Sequence, residues 1–154
     1  MTISRKALSF AQLKDAYPLG HKEDVKAQIG GKVNAEWVAN TCAIRMSRAL
    51  NYTGVKIPRN VGMSVVSGAD KLWYAYRVRE LCAWLKKELG KPDFSGWGTG
   101  EAPAEIQGKQ GILMIEAKFS DATGHITLWN ETACVDDSDY FAVADRVFFW
   151  ETGP

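Results

Sequence analysis

The chain has 154 residues, a formal net charge of +1, 46% hydrophobic residues and 24% charged residues. That length can bury a core within one domain, read here as 1–154, and nothing in the balanced charge argues for nucleic acid or a membrane surface as partner, so neither is expected. No apolar run approaches the ~20 residues a spanning helix needs, and three cysteines with two histidines fit neither a disulfide framework nor zinc-finger spacing.

The first residues, Met1 to Leu8, carry charge with no apolar stretch behind it, unlike a Sec signal. The expectation is a protein made in the cytoplasm and, if exported, moved by a route that reads no such signal. Ser9 to Tyr17 reads as a short amphipathic helix stopped by Pro18 and Gly20, and His21 falls in the polar loop after it. Asp24 to Lys32 reads as a second helix with a glycine stop. Glu36-Trp37-Val38 leads into the stretch the chain is organised around, Asn40 to Asn51.

That stretch reads as a helix with a cysteine in its first turn. Thr41 or Asn40 can cap it, since each has a short side chain able to accept from orphan N–H groups. Ala43, Met46, Ala49 and Leu50 recur at helical spacing and predict one buried face, while Arg45 and Arg48 point elsewhere. Cys42 then sits where the helix dipole and free N–H groups favour an anion.

Gly54 to Pro58 ends this helix, and residues 59–71, with no clear period, read as an irregular surface segment. Trp73 to Val78 reads as an aromatic strand. Arg79 to Gly90 is an amphipathic helix with Leu81, Trp84, Leu85 and Leu89 on its apolar face. Residues 93–108 read as a loop. Gly111 to Ala117 is a buried strand. Gly124 to Asn130 is the next, with Ile126 and Leu128 on one face and His125, Thr127 and Trp129 on the other. Asp139-Tyr140-Phe141 reads as a short strand and Arg146 to Trp150 as the last. Helices first and a mostly antiparallel sheet last is an α+β order.

A cysteine at a helix start, a histidine on a later strand and an acid after it is the order of a papain-like cysteine hydrolase. The thiolate attacks an acyl carbon, the imidazole keeps the thiol ionised and protonates the leaving amine, and a third polar group fixes the ring tautomer. Against this stands the ordinary state of a free cysteine, a small buried hydrophobe, and of a strand histidine with a satisfied ring. His21 reads as a loop residue and Cys82 as core. Glu116, Asp121, Asp136, Asp137 and Asp139 all qualify as the third member on pattern alone.

Asn-x-Cys-Ala-Ile-Arg-Met-Ser at Asn40 to Ser47 resembles the nucleophile helix of the fourth family of type VI secretion amidase effectors. Other matching pieces follow the family's order. They are Gly30-Gly31-Lys32-Val33, Asn51-x-Thr53-Gly54-Val55-x-Ile57-Pro58, Ser67-Gly68-Ala69-Asp70, Trp73-Tyr74-x-Tyr76-Arg77-Val78 and Gly90-Lys91-Pro92-Asp93. The histidine motif runs from Ser120 to Asn130, and Phe149-Trp150-Glu151 matches the terminal element. The resemblance implies a papain-like fold of the NlpC/P60 type and an amidase of bacterial peptidoglycan. Such an enzyme cuts the stem peptide between γ-D-glutamate and meso-diaminopimelate and needs no metal or other cofactor.

The resemblance further implies delivery by the type VI machinery into the periplasm of a rival cell, and a cognate periplasmic immunity protein that blocks the cleft. It places the nucleophile at Cys42, the general base at His125 and the acid at Asp136, with Asp137 adjacent and the register open by one. The Cys42 backbone N–H is the natural oxyanion donor, with the side chains of Asn40 or Thr41 in support. Arg45 and Lys71 are candidate partners for substrate carboxylates. Some family members carry a second cysteine shortly after the position of Cys134. Here Ser138 stands near that place, so Cys134 is expected to be a free thiol and the acid-bearing loop less restrained. Two other classes compete: a cell-wall binding module whose tryptophans stack on sugars, and a papain-like acyltransferase with an apolar groove.

Overall fold

The computed structural model describes residues 4–119 and 123–154. Four α-helices are α1 (Phe10–Ala16), α2 (Lys22–Ile29), α3 (Cys42–Asn51) and α4 (Val78–Leu89). The strands are β1 (Val65–Ser67), β2 (Trp73–Ala75), β3 (Phe94–Trp97), β4 (Gln110–Glu116), β5 (Gly124–Asn130), β6 (Ala133–Cys134) and β7 (Arg146–Glu151). β1 and β2 pair alone, and the others form an antiparallel sheet in the order β3-β7-β4-β5-β6.

α3 is the core of the molecule. The apolar face read from the sequence is there, but Ile44 and Ser47 are buried as well, and only Arg45 and Arg48 reach outward. On one side Ala43, Met46, Ala49 and Leu50 join Phe10 and Leu13 of α1, Leu81 and Leu85 of α4, and Ile112, Met114, Ile126 and Leu128 of the sheet. On the other side Ile44 packs with Val25, Ile29, Val33, Val66 and Tyr74. Its buried polar groups are paired: Ser47 Oγ accepts from the Ala75 N–H, and Asn51 donates to Trp73 O and accepts from the Ile57 N–H. A helix surrounded in this way places its first turn without play. The opposite sheet face carries Leu113, Ile115, Trp129, Val147 and Phe149 against Ile106, Cys134 and Phe141.

Local chemistry sets the boundaries. The Ser9 side chain accepts from the Gln12 N–H and starts α1. Gly30 (φ 72°) closes α2 and Gly90 (φ 77°) closes α4, in a backbone region glycine adopts without strain. Gly31 (φ 59°) leaves no room for a side chain, since a Cβ there would sit 2.6 Å from the Gly68 carbonyl carbon. A Cβ at Gly124 would sit 2.8 Å from Ile115 O, so this glycine admits β4 beside the start of β5.

Several expectations need correction. Residues 59–71 contain β1, which at three residues is too short to show a period. Residues 93–108 contain β3, an edge strand half-exposed on alternate residues. The strand read at Trp73–Val78 stops at Ala75, because Val78 already begins α4. Asp139-Tyr140-Phe141 is not a strand: Asp139 Oδ1 accepts from the Phe141 N–H and leads into a 3-10 turn at Phe141–Val143. The two-residue β6 went unread. Among the described residues no helix is long and apolar enough to cross a membrane.

Candidate active site

The start of α3 and the start of β5 meet at the edge of the sheet. Cys42 is the first residue of α3 and 7% exposed. Its Sγ lies 3.2 Å from His125 Nδ1, and the Ile126 backbone N–H donates to the same sulfur at 3.2 Å. A protonated thiol has an acceptor as well, Ile126 O at 3.2 Å. On the far side of the ring, His125 Nε2 lies 3.0 Å from Asp136 Oδ2 and 3.1 Å from Ser138 Oγ. The carboxylate accepts from Nε2–H, which turns Nδ1 toward the sulfur. Tyr140 meets the imidazole edge-on at 4.8 Å, and Phe119 meets Tyr140 likewise at 4.9 Å.

The electrostatics favour a charged His125–Asp136 pair. Burial alone would lower the His125 pKa. The neighbouring Cys42 and the hydrogen bond and charge of Asp136 outweigh it and raise it to about 10. Burial likewise pushes the Asp136 carboxyl up, but hydrogen bonds from His125 and Ser138 hold it at about 2. Burial raises the Cys82 thiol far above its ordinary value and the Cys134 thiol to about 12.

Of the five candidate acids, the structure brings Asp136 to the ring. Asp136 and Asp137 are not on a strand. They lie in a turn where Asp137 has φ 60° and faces solvent. Glu116 pairs with Lys86 at 2.9 Å, Asp139 caps the 3-10 turn, and Asp121 lies outside the described residues. His21 accepts from the Glu23 N–H at the start of α2.

Of the two capping candidates at the helix start, Asn40 accepts from an orphan N–H and Thr41 does not. Thr41 occupies the cap position with no side-chain cap bond, and its Oγ1 accepts from Arg45 Nε at 3.1 Å. Asn40 Oδ1 accepts from the Cys42 N–H at 2.8 Å, so this N–H is already engaged. Arg45 also donates to Pro18 O at 3.0 Å and Gly20 O at 2.8 Å. Its role is to pin the segment after α1 against α3. Lys71 sits in the exposed turn between β1 and β2, away from the cleft.

The cleft over Cys42 has a volume of about 460 Å³. Residues that sequence reasoning missed line it: Tyr17, Lys22, Phe119, Ser138 and Tyr140. Tyr17 is 4% exposed, and its hydroxyl is buried with the Thr127 hydroxyl as its hydrogen-bonding neighbour. Its pKa is raised by burial and by the neighbouring Cys42 and Asp136, so it stays a neutral donor. Its only sequence signal was a tyrosine just before a helix-stopping proline. Among the described residues no group of three or more side chains suited to a metal converges.

The model of type VI secretion system (T6SS) amidase effector protein 4, Tae4, matches residues 38–150. The chain belongs to the Tae4 family. Solved Tae4 structures match it along nearly its whole length. Tae4 in the Tae4–Tai4 effector–immunity complex of Enterobacter cloacae is 35% identical, with 99% of each chain covered and a TM-score of 0.82. Tae4 of Enterobacter cloacae solved alone is 36% identical, covering 99% of this chain and 98% of that one, with a TM-score of 0.81. Tae4 of Salmonella typhimurium, in its Tae4/Tai4 structure, is 34% identical over 94% of this chain and 98% of that one, with a TM-score of 0.84. No protein with a curated description matches. The fold is thus the α+β, papain-like NlpC/P60-type fold of Tae4, and the chain is a peptidoglycan-hydrolysing amidase effector of type VI secretion.

Proposed function

We propose that this Tae4 member hydrolyses the γ-D-glutamyl–meso-diaminopimelate bond of peptidoglycan stem peptides by cysteine nucleophilic catalysis. The observation that carries the reading is the unbroken chain Cys42 Sγ, His125, Asp136, with links of 3.2 and 3.0 Å. The Cys42 thiolate attacks the γ-glutamyl carbonyl carbon, and the C=O electron pair moves onto oxygen. The tetrahedral intermediate collapses as His125 Nδ1–H protonates the departing diaminopimelate amine. A water, deprotonated by the neutral imidazole, then attacks the thioester, and the thiolate leaves. Asp136 holds the ring and stabilises the imidazolium.

The oxyanion needs donors, and the Cys42 N–H is bound to Asn40. Tyr17 lines the cleft beside Cys42 and Asp136, and its neutral hydroxyl is the donor assigned to that oxygen. With Arg45 engaged by backbone carbonyls, Lys22 is the cation of the cleft open to a substrate carboxylate. The catalytic unit spans 1–154. Relatives are solved as Tae4–Tai4 complexes, and in this reading a cognate immunity protein covers the cleft, while type VI secretion carries the enzyme into the target periplasm.

The acyltransferase alternative calls for an apolar groove at the thiol. The largely apolar depression lined by Leu8, Val55, Pro58, Val61 and Trp84 shares no residue with the cleft over Cys42. The test is digestion of purified Gram-negative peptidoglycan by wild type and Cys42→Ala, with muropeptides resolved by mass spectrometry. Stem peptides ending at D-glutamate with wild type alone support the reading. Intact muropeptides in both samples, with folded protein, overturn it.

A further inference from the structure

Ser138 touches both ends of the acid–base pair. Its hydroxyl donates to Asp136 Oδ1 at 2.6 Å, and its backbone N–H donates to the same oxygen at 3.1 Å. The other carboxylate oxygen, Oδ2, is left for His125 Nε2 at 3.0 Å. Ser138 Oγ is itself 3.1 Å from that nitrogen. A hydroxyl has one proton, and here the carboxylate takes it, so toward the imidazole Ser138 can only accept. The Nε2–H is therefore shared between two acceptors, and Nδ1 is left facing the sulfur.

This bracing matters because the acid sits on little else. Asp136 lies in a turn after a two-residue strand, beside Asp137 in left-handed backbone. Cys134 is a free thiol, so no disulfide restrains the turn. Its backbone ties are Asp137 N–H to Cys134 O at 3.1 Å and Val135 N–H to Leu128 O at 3.0 Å, and neither orients the carboxylate.

We propose that Ser138 is a positioning residue of the catalytic array, a fourth member that sets the rotation of the Asp136 carboxylate and holds His125 with Nδ1 directed at Cys42. Among the described residues, the titratable and charged groups in contact with His125 are Cys42 from α3, Asp136 from the turn, and the phenol ring of Tyr140. Ser138 adds no charge to that set, and it acts through geometry. The kinetic consequence rests on the cysteine-amidase reading, whereas the effect on the His125 ring does not.

The test compares Ser138→Thr, which keeps the hydroxyl, with Ser138→Val, which has nearly the same shape without it. Ser138→Val is expected to lose about tenfold in kcat with KM changed less than about twofold, and Ser138→Thr to recover most of the loss. In a Cys42→Ala background, NMR titration of His125 is expected to move to lower pH on adding Ser138→Val and to hold with Ser138→Thr. A folded Ser138→Val protein with unchanged His125 titration and unchanged kcat overturns the proposal. So does a loss confined to KM, which would make Ser138 a substrate contact. If wild type cuts no peptidoglycan, the amidase reading fails and the titration arm alone decides on Ser138.

Discussion

The side-chain oxygen of Asn40 takes the Cys42 backbone N–H at 2.8 Å, two residues along the chain. This is the N–H that the helix-start pattern assigns to the oxyanion. With that donor satisfied inside the protein, the oxyanion role in the proposed mechanism falls to the Tyr17 hydroxyl, in the cleft wall beside Cys42.

Tyr17→Phe is therefore expected to lower kcat on the order of 10²-fold, the scale of losing one oxyanion donor, with KM nearly unchanged. Its thermal midpoint should change little, because the hydroxyl it removes is buried and has only the Thr127 hydroxyl beside it. Steady-state kinetics with a melting curve checks both. An unchanged kcat would remove Tyr17 from the mechanism.

The pH behaviour follows from two opposite shifts. His125 binds its proton more tightly in the folded chain, so its contribution to stability is complete below pH 6.5 and disappears as pH rises through about 10. Asp136 is the mirror case: its contribution is present above pH 3.8 and is lost as pH falls through about 2. Activity that needs the imidazolium should fall on an alkaline limb well above neutral. Asp136→Asn removes part of what raises His125, so the limb should move toward neutral by about one pH unit or more. A kcat/KM profile of wild type and variant reads this directly.

Arg45 joins α3 to the segment that walls the cleft through two hydrogen bonds, to Pro18 O and Gly20 O, and holds Thr41 at the helix cap with a third. Arg45→Ala should destabilise the fold by about 2 kcal/mol, the scale for losing charged hydrogen bonds, and raise KM as the wall loosens. Lys should rescue little, since an ammonium cannot span that fork. Denaturant unfolding together with KM measures the two effects. A variant of wild-type stability but raised KM would return Arg45 to substrate binding.

Thiol reactivity separates the three cysteines. Burial raises the pKa of Cys82 and Cys134, whereas Cys42 faces an imidazolium and a backbone N–H. Alkylation near neutral pH should show a single fast thiol that disappears in Cys42→Ala. Mass spectrometry of labelled peptides identifies it, and a fast Cys82 would contradict the raised pKa of that half-buried thiol.

Periodicity and punctuation carried most of the fold. α1, α3 and α4 followed from apolar spacing closed by proline or glycine, and β4, β5 and β7 from continuous or alternating apolar runs. What the sequence hid was short or at an edge: β1, β3 and β6 are two to four residues long. Their place comes from pairing across the sheet, which no local period records.

By itself the sequence determined that a cysteine opens a buried helix and a histidine opens a strand, because both depend on local spacing and capping chemistry. Its pattern left five acids open, and only the family resemblance placed the acid at Asp136, with Asp137 one residue away. The tertiary structure decided between their positions relative to the ring: a left-handed residue at Asp137 (φ 60°) turns that side chain to solvent and leaves Asp136 facing His125. It also decided that Asn40 occupies the helix N–H, that Arg45 is consumed by backbone carbonyls, and that Tyr17 and Ser138 enter the cleft. Each of these depends on where separate segments meet. Hydrogen-bond geometry between residues distant in sequence arises only when the core has packed.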